Sequence, residues 1–249
     1  MELTIMGGID KSGLKEPVER LDLRSGEVVG IVGPTGSGKT TLINDIEQFV
    51  VGDSPTHRLI LLNGQLQDQP SRNDPRNKPV AQLSQNMHFL ADMQVEEFLR
   101  MHARSRGKDA SLVPKVIEAA NLLTGEAIPK NCHLTALSGG QSRALMAADI
   151  AIISDSPIVL IDEIENAGIR KQEALRLLAG SGKIVVVVTH DPLLALLASR
   201  RVVMSEGGMR QVAERTEDEV RVCDRLAKID EWLITLRETI RDGGLVSSE

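Results

Sequence analysis

The stretch EVVGIVGPTGSGKTT, residues 27–41, constrains the fold most, because an apolar run there ends in a glycine-rich segment. The β-branched run predicts a buried parallel strand, and KTTLINDIEQFV after it has apolar residues at helical spacing. The glycine segment fits G-x-x-x-x-G-K-[ST], in which backbone N–H groups surround phosphate oxygens. Strand, loop and helix in this order predict an α/β core built on a phosphate-binding loop.

We expect this loop to hold the phosphates of a nucleotide, with the positive end of the helix dipole behind them. Its candidate phosphate-binding residues are Gly33, Pro34, Thr35, Gly36, Ser37, Gly38, Lys39, Thr40 and Thr41. Lys39 has the charge to hold the β- and γ-phosphates during catalysis, and the Thr40 hydroxyl can bind Mg²⁺.

The rest of the chain continues the alternation of strands and helices. ELTIM and VERLDL read as short edge strands, HRLILLNGQ reads as another strand, and QDQPSRNDPRNKP reads as an exposed loop. Helical patterning without a strand signal follows, which predicts a helical subdomain inserted at about residues 90–148. The helix SRALMAADIAII, the strands PIVLIDE and KIVVVVTHD with the helix KQEALRLLAG between them, and the hairpin RRVVMSEGGMRQV complete the core.

The fold class we predict is α/β, a P-loop NTPase core with a mainly parallel sheet flanked by helices. A small antiparallel β part, the inserted helical subdomain and a C-terminal helix complete it. We assign residues 1–213 to the ATPase domain and residues 214–249 to a C-terminal helical extension.

Polar residues follow two of the predicted core strands, at the edge where α/β sheets bind ligands. In IVLIDE, Asp162 can meet Mg²⁺ through water and Glu163 can polarise an attacking water. His190 ends the strand that should neighbour that of Asp162, so we expect it to contact a γ-phosphate. Spacing alone gives Gln85 no role beyond that of a solvated surface residue.

The segment LSGGQ, residues 137–141, is a second glycine-rich and anion-seeking stretch. Together with the phosphate loop and IVLIDE, it resembles the ATP-binding cassette (ABC) ATPases over about residues 2–212. In that family two ATPase domains pack head to tail, and the signature sequence of one closes over ATP held by the other. The resemblance therefore implies a dimer formed on ATP binding, in which Ser138, Gly139, Gly140 and Gln141 bind the partner's nucleotide. A second copy of this chain is the first candidate for the partner, and a different ABC ATPase subunit is the alternative.

The resemblance also changes the reading of Gln85. The stretch QLSQNMHFLADMQVEEFL looks like the Q-loop of the family, whose glutamine contacts the γ-phosphate and Mg²⁺ and reports on a bound partner. Gln85 fits that role, with Gln82 as the competing choice. The implied cofactors are ATP and Mg²⁺, with Thr40, Gln85 and Asp162 on the metal and Lys39, Glu163 and His190 in catalysis.

Two departures from the family pattern are visible. An aromatic residue usually stacks on adenine and should fall near Ile9, yet MGGIDKSG contains none. We therefore expect a small preference for ATP over GTP.

The second departure follows Glu163, where the family usually has Ser-Ala-Leu-Asp in a loop between the two sites, whereas this chain has Asn166 to Arg170, NAGIR. We expect altered coupling between the sites and slow hydrolysis without a partner.

The tail is predicted to form one helix that stops at Gly243. Its heptad-like stripe consists of Val222, Leu226, Ile229, Leu233, Leu236 and Ile240. Packing on its own domain is the first interpretation of this stripe, and a dimer seam or a partner-docking helix is the second.

Composition narrows the setting in which the chain works. The net charge of −6 gives no basic footprint for nucleic acid, and the two cysteines, Cys132 and Cys223, have no metal-ligand spacing. No apolar run approaches the roughly 20 residues of a membrane span, and the N-terminus lacks a signal-peptide pattern. We expect a cytoplasmic protein, peripheral on the inner face of the membrane if partner subunits hold it there.

The leading hypothesis for function is the ATP-binding subunit of a membrane transporter. The alternative is a soluble ABC ATPase that assembles or remodels a protein partner, as the ATPase of iron–sulfur scaffolds does. The family's DNA-repair members carry a long coiled-coil insertion, and this chain has none.

Overall fold

The computed structural model describes residues 1–73, 78–84, 87–162 and 168–246. Its strands are β1 Glu2–Met6, β2 Arg20–Arg24, β3 Val28–Val32, β4 Leu59–Leu62, β5 Gln65–Leu66, β6 Val80–Ser84, β7 Ile158–Asp162, β8 Ile184–Val188, β9 Arg200–Ser205 and β10 Gly208–Glu214. Its helices are α1 Lys39–Gln48, α2 Gln69–Asn73, α3 Val95–Ser105, α4 Leu112–Leu123, α5 Gly139–Ile152, α6 Lys171–Gly180, α7 Pro192–Leu197 and α8 Glu217–Arg241.

The main sheet has six strands in the order β10-β9-β3-β8-β7-β6. Its neighbours run parallel except for β10, which pairs antiparallel with β9. All five residues of β8 are buried, as expected for a Val-rich strand covered on both faces. This confirms the predicted α/β class and the parallel core.

A four-stranded antiparallel sheet, β2-β1-β4-β5, lies beside it. β2 lies at the edge as predicted, but β1 does not, because it pairs with β2 on one side and with β4 on the other. Ile5 of β1 lies opposite Leu21 and Ile60, and all three are buried. Asn63 and Gly64 both have positive φ, 51° and 76°, in the turn from β4 to β5, as the sequence Asn-Gly predicts. The predicted antiparallel part is thus confirmed.

A helical layer of α3, α4 and α5 follows β6, where helical patterning was predicted. Val116 and Ala120 of α4 and Ala144 and Ala147 of α5 belong to one buried apolar cluster, and all four are fully buried. Small residues on α5 let the helices approach closely. The boundaries of a subdomain at 90–148 and of a domain ending at 213 stay predictions.

The structure differs from the predicted elements at three further places. The stretch predicted as an exposed loop contains the short helix α2, and residues 74–77 within it lie outside the described part. β6 pairs with β7 along its whole length but was not predicted, because VAQLS alternates too weakly. α7 was also not predicted; six residues are too few for a periodic signal, although Asp191 caps it and Pro192 is its first residue.

The C-terminal helix was predicted correctly, and so was its stop at Gly243, which has a positive φ; the capping box at Thr216 that starts it was not predicted. The predicted stripe does not form one buried face. Leu226, Leu233 and Leu236 are half-buried, whereas Val222, Ile229 and Ile240 are exposed. Cys223, one residue off the stripe, is the position of α8 that is buried. No helix in the described ranges combines the length and apolar composition needed to cross a bilayer.

Candidate nucleotide-binding site

The predicted phosphate loop follows β3 and ends where α1 begins at Lys39. Gly38 caps α1 with a φ of 96°, in the left-handed region. A Cβ added to Gly38 would lie 2.7 Å from Cα of Gly207. A residue with a side chain would therefore be strained in this backbone conformation and would clash with Gly207. The loop is therefore closed against the turn between β9 and β10.

Lys39 is buried under this loop and points its ammonium back at it. Nζ donates to the carbonyl oxygens of Gly33 at 2.9 Å and Pro34 at 3.0 Å. Ser37 Oγ is buried and has no hydrogen-bond partner in the described part of the chain. Thr40 and Thr41 are exposed on the first turn of α1. An ammonium, hydroxyls and N–H groups at a helix N-terminus are the donor set of a phosphate site, so these residues fit the expected nucleotide.

The polar strand ends lie at the same edge of the sheet as this loop. In the register of the main sheet Ser84 pairs with Asp162 and Asp162 with Val188. Val188 also pairs with Ile31, so Gly33 and His190 each lie two residues beyond that pair. Asp162 is half-buried and His190 is exposed. The structure thus brings Asp162 and His190 to the edge that carries the phosphate loop, as predicted.

Several predicted site residues lie outside the described residues. These are Gln85, which follows Ser84 in the chain, and Glu163, which follows Asp162. Asn166 and Ala167 of the atypical loop also lie outside the described residues. Their proposed roles stay predictions.

The segment LSGGQ, which is the signature sequence of the family, leads into α5, and it is built differently from the phosphate loop. Ser138 caps the helix, Gln141 N donates to its Oγ at 3.2 Å, and Ser138 N donates to Gln141 Oε1 at 3.0 Å. Gln141 Nε2 also donates to the carbonyl of Ala127 at 3.2 Å. One turn on, the Arg143 guanidinium lies beside Gly139, and burial lowers its pKa from the ordinary arginine value.

A cavity of about 320 Å³ opens beside the signature. Its described lining comes from the end of α4, from Ser138 and Gly140, from residues 168–171 and from the C-terminal half of α8, and none of it belongs to the phosphate loop. Within one chain, the two glycine-rich segments therefore do not line this cavity together.

Two lysines at the site were not predicted from the sequence. Lys11 Nζ donates to the carbonyl of Gly36 at 2.7 Å, from the loop where the family's aromatic should lie. Lys171 Nζ lies 2.6 Å from Asp191 Oδ2, next to His190, and 3.7 Å from Asp230 Oδ1 of α8. No local sequence pattern predicts either contact, because each contact joins two segments that are distant in sequence.

A phosphate loop on β3 and α1, with Asp162 and His190 at the neighbouring strand ends, defines a P-loop nucleotide-binding protein. The ABC transporter family model matches residues 19–166. An uncharacterized ABC transporter ATP-binding protein of Methanocaldococcus jannaschii is 58% identical over 249 residues, all of this chain and 95% of that protein. The sn-glycerol-3-phosphate import ATP-binding protein UgpC of Escherichia coli is 31% identical over 84% of this chain and 58% of its own length.

Solved structures agree on the fold. The cbiO1 structure from Clostridium perfringens, described as part of the ABC transporter complex cbiONQ, has a TM-score of 0.66 at 20% identity over 93% of this chain and 98% of that one. The chain belongs to the ABC transporter ATP-binding family. It is accordingly an ATPase, an enzyme that binds ATP and hydrolyses it.

Proposed function

We propose that this chain is the ATP-binding subunit of a membrane transporter and that two copies hydrolyse ATP head to tail with Mg²⁺. The observation that carries the dimer is the separation of the phosphate loop from the signature helix start within one chain. Since the described lining beside Ser138 and Gly140 contains no phosphate-loop residue, a nucleotide at the signature would come from a second copy.

In this proposal each residue of the site has one task. N–H groups of the loop and the Lys39 ammonium hold the β- and γ-phosphates, while Thr40, Gln85 and Asp162 hold Mg²⁺. Glu163 takes the proton of the attacking water, and His190 contacts the γ-phosphate. Mg²⁺ would neutralise charge that develops on the phosphates. No group of three or more His, Cys, Asp or Glu in the described ranges could hold a metal alone, which fits a cation shared with phosphate oxygens.

The surface of the segment that follows Gln85 in the chain supports a membrane partner. Leu90 is 96% exposed in the segment before α3, and Met101 on α3 is 49% exposed. Met93 and Met101 line a shallow cleft together with Glu97 and Arg104. Exposed apolar side chains rimmed by charges are typical of a protein-docking surface. The names of the relatives, an import ATP-binding protein and a part of a transporter complex, favour a permease as the partner and a position on the cytoplasmic face of the membrane.

The test uses Glu163→Gln, which should keep ATP bound by removing the group that takes the water proton. The full chain is captured with ATP and Mg²⁺ from gently solubilised native cells, and the co-purifying proteins are identified. The matched control is Glu163→Gln with Lys39→Ala, which cannot hold the phosphates. A membrane protein that is retained with the first variant and lost with Leu90→Ser supports the transporter.

A soluble protein retained instead would contradict the transporter and favour assembly of a protein partner. The dimer is tested separately, by the mass of purified Glu163→Gln with and without ATP. A mass that stays at one chain with ATP would contradict the head-to-tail arrangement.

A further inference from the structure

A buried cluster of charges lies behind the phosphate loop. Arg58 has no exposed surface, and its Nη1 donates to Asp45 Oδ2 at 2.9 Å. Its Nε donates to Glu16 Oε2 at 3.2 Å, and its Nη2 also bonds the Glu16 carboxylate. Burying three charges is costly unless they pair closely, so the cluster calls for an explanation beyond packing.

The two carboxylates tie Arg58 to separate segments of the chain. Glu16 lies between β1 and β2 and accepts hydrogen bonds from the N–H groups of Gly8 and Met209, both at 2.9 Å. Asp45 lies on α1, the helix that starts at Lys39, and also accepts the Thr56 hydroxyl at 2.8 Å. The cluster therefore joins the β1–β2 connection, α1 and the start of β10.

One further bond carries the cluster to the phosphate loop. Arg58 Nη2 donates to the carbonyl of Gly207 at 2.9 Å, and the N–H of Gly207 donates to the carbonyl of Ser37 at 2.9 Å. Cα of Gly207 is the atom against which Gly38 closes. From the other side, Lys11 bonds the carbonyl of Glu206 through its N–H and that of Gly36 through Nζ.

We infer that Arg58 is a positioning residue for nucleotide binding: it fixes Gly207 against Ser37 and Gly38 and, through Asp45, holds α1, so that the loop is shaped before the triphosphate arrives. The inference rests on the proposed role of the loop as the phosphate site. A loop fixed in its bound shape loses less conformational freedom on binding. Because the bonds of Arg58 lead through Gly207 to Ser37 in the phosphate loop, the triphosphate is the part of the substrate that Arg58 serves.

The test compares two substitutions of a buried cation by Met. Arg58→Met removes the cluster's cation, and Lys183→Met removes a buried ammonium that donates to the carbonyls of Ser154 and Ser156, away from the loop. Calorimetry measures the Kd for ATP and for inorganic tripolyphosphate in each full-length protein below its unfolding temperature. We expect Arg58→Met to raise both constants about tenfold, because the loop then has to be ordered on binding, and Lys183→Met to change them less than about twofold.

Hydrolysis kinetics separate positioning from general destabilisation. Arg58→Met should raise KM for ATP while kcat at saturation changes less than about twofold, because the reacting groups are intact. If Arg58→Met does not fold, Asp45→Asn keeps the size and removes one charge, and we expect a rise in both Kd values of about threefold.

A folded variant of Arg58 or Asp45 that binds tripolyphosphate as tightly as the wild type would overturn the inference and leave the phosphate-site proposal standing. A rise for ATP alone would also overturn it, because it would place the effect at the base. Failure of the wild type to bind either ligand would instead overturn the loop's role and this inference together.

Discussion

The phosphate loop and the signature both place glycines at the N-terminus of a helix, yet they are built in opposite ways. In the loop, Gly38 has a left-handed backbone and closes against Gly207, and Lys39 is buried below with its ammonium on loop carbonyls. In the signature, Gly139 and Gly140 are the first helical residues of α5, after an exposed Ser138 that forms a capping box.

The difference shows two uses of the same residue type. In the loop, glycine permits a backbone conformation that encloses the ligand from within the chain. In the signature, glycine leaves a helix start without side chains, and the first N–H groups of a helix have no partner inside it. This difference fits the proposed dimer, in which the loop holds the nucleotide of its own chain and the open helix start would meet the nucleotide of a second copy.

The largest loss of ATP hydrolysis should come from a substitution in the phosphate loop, the enclosed segment. Lys39→Ala removes the ammonium proposed to hold the phosphates, and we expect ATP hydrolysis to fall at least about a hundredfold, as when one preorganised donor is lost. Steady-state phosphate release measures it. Lys11→Ala is the matched control, because Lys11 also bonds a loop carbonyl but is exposed; we expect a loss below about threefold. Equal losses in the two variants would contradict the role of Lys39.

Mixing two inactive variants tests whether the open segment serves a second copy. Ser138→Asp keeps an N-cap residue but puts a negative charge where the partner's phosphates should lie. Equal mixing of Ser138→Asp with Lys39→Ala gives half mixed dimers, each with one intact site of two. We expect about a quarter of the wild-type hydrolysis rate from chains that are inactive separately. A mixture that stays inactive would contradict head-to-tail sharing of the sites.

The sequence was sufficient for those parts of the site that depend on local pattern. The phosphate loop, the strand that ends at Asp162 and the strand before His190 are each one continuous run with a strong signal. The adjacency of the last two strands also followed, because a βαβ unit places them side by side. The helix α5 was predicted only from SRALMAADIAII onward; its start at Ser138 was missed, although Ser and Gln three residues apart are the pattern of a capping box.

The parts that could not be predicted depend on contacts between distant segments. Arg58 stands in HRLILL, where it reads as a polar residue at the start of a strand; its burial follows from Glu16, 42 residues earlier, and Gly207, 149 residues later. The split of the predicted stripe on α8 has a similar cause. The periodicity indicated an apolar stripe, but the face of α8 that lies against the rest of the chain also carries Cys223 and the ion pairs of Glu219 with Arg201 and of Asp230 with Lys171.

The selectivity of the phosphate loop between ATP and GTP should show a smaller effect. If binding energy lies in the phosphates, the loop should hold GTP nearly as well as ATP. Aromatic stacking on a base contributes about 1–3 kcal/mol where it occurs, and this chain has Lys11 near that place. We expect ATP and GTP to differ by less than about tenfold in competition binding, with tripolyphosphate as the base-free control. A preference above about a hundredfold would show that another group recognises adenine.

The smallest effect concerns the surroundings of the open segment. Arg241 of α8 pairs with Glu126 at 2.8 Å in the lining of the cavity beside Ser138, and both side chains are about half exposed, 52% and 48%. Exposed pairs contribute about 0–1 kcal/mol, so Arg241→Gln should lower the free energy of unfolding in urea by less than about 1 kcal/mol. Arg221→Gln is the matched control on the same helix, because its contact with Asp218 is longer, 3.4 Å, and more exposed. A loss above about 2 kcal/mol for Arg241→Gln alone would mean that α8 holds the signature in place, and the signature would then be less independent of its own chain than its open helix start suggests.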